Sequence, residues 1–397
     1  MRTDHVAEIL RATGSLRSGN PAGVTDIVRN ALAIAGLPGP ATAGAEGTSA
    51  LHVTPQTTAA PRVGRPPRIA RLRKPLGEVV RTLRAGKPGL KLDGLPGLPR
   101  PTPAPDLPLP EGAQFLDLRH VCPSGARRYR LYIPSRADEG LRGLVVMLHG
   151  CTQTPEDFAA GTGMNALAEK HRLLVVYPAQ TGGDNAMSCW NWFRPEDQRR
   201  GAGEPAIIAS LTHELRARYA IPEDRVFAAG LSAGGAMAAI LAETYPELYA
   251  AVGIHSGLAY GSANDTMSAF AAMRGQPAVV RMPSPNARTG AAQGPRVIVF
   301  QGTADSTVHP SNAARIIAGK GAVKASPSAP SGGTRGYIRS VAKRADGTNA
   351  VECWMIDGAQ HAWSGGSSSG SYTDPTGPDA SAAMVHFFLQ GRSDAPA

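Results

Sequence analysis

The chain has 397 residues, long enough for one large domain with an appendage, and its 42% hydrophobic and 18% charged content excludes a wholly disordered polymer. Its net charge of +10 is lopsided: residues 1–110 hold 15 Lys and Arg against 7 Asp and Glu, and the remainder is nearly neutral. Four scattered cysteines without metal-ligand spacing exclude a disulfide scaffold, and no run is apolar enough to span a membrane.

Residues 1–110 read as a basic, Pro/Gly/Ala-rich leader, mostly disordered, with short helical segments at Thr25–Ala35 and Leu76–Leu83. Within it, PRVGRPPRIARLRKPLGEVVRTLRAGKPGLK sets ten Lys and Arg against the single Glu78. That balance would suit an anionic surface, granule or nucleic acid, but no aromatic stacking residue is interleaved, and a solvated flexible arm is the favoured reading. Met1 to Asn20 contains Asp4, Glu8 and three arginines and no apolar core of signal-peptide length, so the expected compartment is the cytoplasm. A proline-rich spacer over residues 92–110 leads into a folded domain expected over residues 111–392, with 393–397 as a tail.

From residue 111 onward, strand and helix patterns alternate. Predicted strands are Arg127–Ile133, Leu144–Leu148, Leu173–Tyr177, Val226–Ala229, Ala250–Ile254, Val297–Phe300 and Val351–Ile356, the last two being the final strands. Predicted helices are Phe158–His171, Glu204–Tyr219, one following Ser232, and Ala380–Leu389. Residues 257–295 lack periodicity and suit a cap or rim. Short apolar runs separated by helices imply a mostly parallel, doubly wound sheet of the α/β class.

Within VFAAGLSAGGAMAA, Gly230, Ser232 and Gly234 form G-x-S-x-G between a strand and a helix. Small residues let strand and helix approach, and the serine stands on a strained turn at the positive end of the helix. A serine hydroxyl needs a base, and the base needs a carboxylate to hold its tautomer. Asp305, after VIVFQG, and His361, after VECWMIDGAQ, follow Ser232 in the order acid then base, each beyond a strand's carboxyl end. His309 and Asp357 compete less well, Asp357 being placed to shape the turn, while His149 and His255 read as structural. An oxyanion hole needs two backbone N–H groups, expected from Ala233 and from Cys151, with Thr152 as the fallback.

The segments LHGCTQTPEDFA, SCWNWFRPEDQRRGAGEP, AAGLSAGGAMAA, GTADSTVHPSN and GAQHAWSGGSSSGSYTDPTGPDAS resemble the poly(3-hydroxybutyrate) depolymerase family of esterases, over about residues 113–390. That resemblance implies an α/β-hydrolase fold with feruloyl and acetyl-xylan esterases as relatives. It also implies a nucleophile, acid and base on Ser232, Asp305 and His361, an oxyanion loop on Gly150-Cys151-Thr152, and no metal or organic cofactor. It brings Cys151 and Cys189 into one region, leaving open a disulfide or two free thiols, while Cys122 and Cys353 read as small packing residues. Trp192, Trp363 and Thr152 are the expected substrate-binding residues, though Trp190, Trp192 and Phe193 suit a core equally.

Two departures from the family pattern stand out. The chain stops just past its last predicted helix, without the separate substrate-binding domain of many secreted depolymerases, which favours oligomers, amorphous polyester or short esters as substrates. Gln301 stands where relatives often carry histidine, a change expected to leave the acid untouched. The expected activity is therefore serine-dependent hydrolysis of carboxylic esters. A feruloyl or acetyl-xylan type esterase is the nearer alternative, and a non-catalytic granule- or nucleic-acid-binding protein using the leader is the farther one. Secreted members of the family make an extracellular location the alternative to the cytoplasm.

Overall fold

The computed structural model describes residues 107–276, 294–318, 320, 324–328 and 335–390. The chain divides into two units, Met1–Pro103 and Ala104–Ala397, and every described residue belongs to the second. Residues 1–106, which hold the basic segment and nearly all of the leader, fall outside the described residues, as do the tail and part of the expected rim.

In chain order the strands are β1 Gln114–Cys122, β2 Gly125–Ile133, β3 Gly143–Leu148, β4 Leu173–Pro178, β5 Val226–Leu231, β6 Ala251–His255, β7 Arg296–Gly302, β8 Lys324–Ser328, β9 Tyr337–Lys343, β10 Asn349–Ile356, and the short β11 Trp363–Ser364 and β12 Thr373–Asp374. The α-helices among the described residues are α1 Pro155–Thr162, α2 Met164–His171, α3 Gly203–Arg218, α4 Ala233–Thr244, α5 Thr266–Met273, α6 Ser311–Ile317 and α7 Ala380–Leu389. Ten strands form one sheet in the order β1-β2-β4-β3-β5-β6-β7-β10-β9-β8. The six from β4 to β10 run parallel, and an antiparallel pair borders them on each side.

Both faces of β3 to β7 are covered, which is why they read as apolar runs. Leu144, Val146 and Leu148 face one core with Ile208, Leu211, Met237 and Leu241 from α3 and α4. Val145 and Met147 face the other, with Phe158 of α1, Met164 and Ala168 of α2, and Met384 and Phe388 of α7.

The structure corrects three expectations. The single helix expected over Phe158–His171 is two, because Gly163 takes a left-handed conformation (φ 62°) that ends α1 and opens α2. α5 lies in the stretch expected to lack periodicity, started by a capping box in which Asp265 accepts the Ser268 N–H. β8 and β9 come between the two strands expected to be the last. Asp305 therefore follows β7 and His361 follows β10, which are neighbours in the sheet all the same.

Candidate active site

Strand register brings the site loops to one end of the sheet. Leu148 of β3 pairs with Gly230 of β5, Leu231 with His255 of β6, and His255 with Phe300 of β7. Beyond these ends lie the 149–153 turn, Ser232, Asp305 and, past β10, His361.

Ser232 joins β5 to α4 with φ 58° and ψ −117°, a backbone region that side-chain-bearing residues avoid at a cost of about 1–3 kcal/mol. Its N–H donates to His255 O at 2.9 Å, which holds the turn in place. A Cβ on Gly230 would collide with the Gly234 backbone, and one on Gly234 with the Leu148 and His149 carbonyl oxygens. Only glycines therefore allow α4 to start directly against the turn after β3.

The acid and base expected from sequence are in contact: His361 Nδ1 lies 2.8 Å from Asp305 Oδ2. Asp305 is buried, and burial alone would raise its pKa. The His361 hydrogen bond and charge, the Val308 N–H and the Ser256 hydroxyl outweigh that and hold the carboxyl below its usual range. With a carboxylate on Nδ1, the imidazole keeps Nε2 free to accept a proton. Ser232 Oγ makes no hydrogen bond to His361 in this structure; such bonds are often long in ligand-free hydrolases and tighten around substrate. Gln301 is fully buried and donates to Asp305 Oδ2 (3.1 Å) and to Val308 O (3.0 Å). Sequence reading expected this position to leave the acid untouched; instead it shares the oxygen that faces His361.

Around the expected oxyanion loop, the Thr152 N–H is committed to Met187 O at 2.8 Å, which removes the fallback donor. The Cys151 and Ala233 N–H groups meet no backbone carbonyl among the described residues. Cys151 is bonded to Cys189, with Cα atoms 4.2 Å apart, closing the alternative of two free thiols; Cys122 and Cys353 remain free. The bridge fastens the turn to residues 180–198. Those residues are organised by buried Glu204, whose carboxylate accepts from the Asn191 N–H and side chain, Gln180 Nε2 and Arg127 Nη2.

The expected substrate-binding residues separate. Trp363 belongs to the core and not to a pocket wall: it is 1% exposed, stacks on His255 (5.1 Å), meets Phe158 edge-on and donates its indole N–H to Ser381 Oγ. Trp192 is buried edge-on against Phe193. Thr152 is exposed, with Oγ1 3.2 Å from the hydroxyl of Tyr372, and Tyr372 and Met187 are exposed beside it. Sequence reading passed over Tyr372 and Met187, although each lies within or beside a quoted family segment.

His149 and His255 are structural, as expected. His149 Nε2 accepts the Gln180 N–H, so its Nδ1–H donates to Gly150 O; His255 Nε2 accepts the Ser364 N–H, so its Nδ1–H faces Ser256 Oγ. Burial pushes His149 down to about 4 and His255 to about 3, the latter helped by neighbouring His361. Both stay neutral in the fold but gain protons in the unfolded chain below an ordinary histidine pKa of about 6.5. Stability is therefore full above that value and falls with acidification, by about 1.4 kcal/mol per pH unit for each imidazole. Thermal melts should show a clear decline in Tm between pH 6.5 and 5; a flat Tm across that window would contradict neutral burial.

A parallel sheet doubly covered by helices, with a serine elbow and a carboxylate–imidazole pair beyond its strand ends, defines an α/β-hydrolase. The family model described as esterase PHB depolymerase matches residues 127–339, more than half of the chain, and the chain belongs to that family. It is 35% identical over 228 residues to poly(3-hydroxyalkanoate) depolymerase C of Paucimonas lemoignei, covering 55% of this chain and 54% of that protein. It is 30% identical over 200 residues to acetylxylan esterase A of Talaromyces purpureogenus, covering 48% of this chain and 51% of that one. Feruloyl esterase B of Neurospora crassa is 31% identical over 139 residues, 35% of this chain and 46% of that one. The chain thus spans about half the length of these curated relatives. An acetyl xylan esterase structure from Aspergillus awamori shares the fold with a TM-score of 0.51 at 22% identity, covering 63% of this chain and 93% of that one.

Proposed function

We propose that the chain is a serine esterase that hydrolyses carboxylic esters through an acyl-enzyme. The observation that carries this is the Asp305–His361 hydrogen bond at the end of the sheet where Ser232 occupies its strained elbow. Ser232 Oγ attacks the ester carbonyl as His361 Nε2 takes its proton. The N–H groups of Ala233 and Cys151 hold the oxyanion, and His361 then protonates the departing alcohol. In the second half His361 activates water against the acyl-serine, with Asp305 holding the ring throughout. The proposed steps call on no metal or organic cofactor.

The substrates proposed are 3-hydroxyalkanoate oligomers, amorphous polyester or short-chain esters, in line with the similarity to a poly(3-hydroxyalkanoate) depolymerase. The similarity to acetylxylan and feruloyl esterases supports a second reading, in which the acyl group comes off a carbohydrate. No described helix is long and apolar enough to cross a membrane. The Cys151–Cys189 bridge favours an oxidising, extracellular compartment over the cytoplasm expected from the first residues.

A fluorophosphonate probe should label Ser232 stoichiometrically, with the adduct located by peptide mass. Labelling elsewhere, or none on folded protein, removes the esterase reading. A panel of 3-hydroxybutyrate oligomers, acetylated xylan and methyl ferulate then separates the two substrate readings by kcat/KM.

A further inference from the structure

Gln153, two residues beyond Cys151, is 3% exposed, and both ends of its amide are used. Its Oε1 accepts the Gly150 N–H at 2.9 Å. Its Nε2 donates to Asp157 Oδ2 at 2.9 Å on α1, and to Ser371 O and Oγ at 3.1 and 3.2 Å. Asp157 closes the circuit by accepting the Ser371 N–H at 2.8 Å and its hydroxyl at 2.5 Å. Ser371 belongs to the loop between β11 and β12, and β11 itself begins two residues after His361. One side chain thus bridges the turn that holds Cys151 and the loop that follows the histidine through β11.

We propose that Gln153 is a positioning residue that aims the Cys151 N–H at the developing oxyanion, keyed to the histidine loop through Asp157 and Ser371. The proposal rests on the esterase reading. Thr152 has a positive φ of 65°, so the turn is not held by ordinary backbone preference and needs an outside anchor. The Gly150 N–H is one of the donors that such a turn leaves without a backbone partner, and a buried amide oxygen satisfies it. With Gly150 clamped on Oε1 and Thr152 clamped on Met187 O, the Cys151 peptide between them is fixed at both ends. An oxyanion donor contributes only when it is fixed before the charge appears.

The role requires an acceptor on one side of the amide and a donor on the other. Gln153→Glu keeps the acceptor for Gly150 but puts a carboxylate against Asp157; Gln153→Ala removes both. Each variant is compared with wild type on p-nitrophenyl butyrate, with rates normalised to active sites titrated by the p-nitrophenolate burst, so unfolded protein does not count. The expected result is a fall in kcat per titrated site of about 10²-fold for both variants, the size of losing one oxyanion donor, with KM within threefold of wild type. A loss that disappears on normalisation, or that lies wholly in KM, assigns Gln153 to scaffolding or substrate binding and overturns the proposal. So does a Glu variant that matches wild type. Failure of the esterase reading is read separately, because wild-type protein would then turn over no ester whatever happens at residue 153.

Discussion

Replacing Ser232 by alanine should lower kcat on a short-chain p-nitrophenyl ester by about 10⁴–10⁶-fold, with KM little changed. The loss is large because the hydroxyl is the only atom in the proposed sequence that forms the acyl bond; without it, no covalent intermediate divides the reaction into two easier halves. The residual rate would come from the proposed oxyanion donors, the Ala233 and Cys151 N–H groups, and from binding. Alanine tolerates the φ of 58° no better and no worse than serine, and the position lies between glycine-fitted contacts that the substitution does not touch. The melting temperature should therefore stay within a few degrees of wild type, so the lost turnover is chemical. A variant that keeps a tenth or more of wild-type kcat would end the acyl-enzyme mechanism.

Opening the Cys151–Cys189 bridge should carry the second large effect. The two cysteines lie 38 residues apart in sequence, and closing a loop of that length restricts the unfolded chain by about 4 kcal/mol on the chain-entropy estimate. Reduction, or the paired change Cys151→Ser with Cys189→Ser, should therefore lower the unfolding free energy by about that amount in urea. Activity should fall with it, since the bridge ties down the peptide proposed as an oxyanion donor. In denaturant without reductant, thiol titration should find two free cysteines, Cys122 and Cys353. Four titrating thiols, or stability indifferent to reductant, would contradict the bridge.

What could be read from the sequence follows where burial is symmetric. β3, β4, β5, β6 and β7 are buried on both faces, so their sequences are apolar runs that stand out against the flanking turns. β1 and β9 lie in the antiparallel borders, half exposed, and QFLDLRHVC and YIRSVAK mix polar with apolar residues too evenly to be told from loops. α5 was hidden for another reason: TMSAFAAM sits in Ala- and Gly-rich surroundings, and its start depends on Asp265 and Ser268 pairing across one turn.

In the site, the chain order of Ser232, Asp305 and His361 was legible because each sits just past a strand that could itself be recognised. The direction of a side chain was not. Trp363 is two residues from His361, yet β11 turns it under the loop into the core, where His255 and Phe158 receive it. The links that join distant segments were invisible for the same reason. Gln153 to Ser371 and Gln301 to Asp305 depend on which amide points where, and no spacing rule encodes that.

The border pair β9–β8 gives the fold room to vary. Because β9 stands outside β10, the strand that leads to His361 never forms the open rim of the sheet; that rim falls to β8. Chain can be lengthened or exchanged in the turn joining β9 to β10, at residues 344–348, at the opposite end of β10 from the imidazole. Remodelling that flank would therefore be expected to leave the geometry beyond the far end of β10 in place.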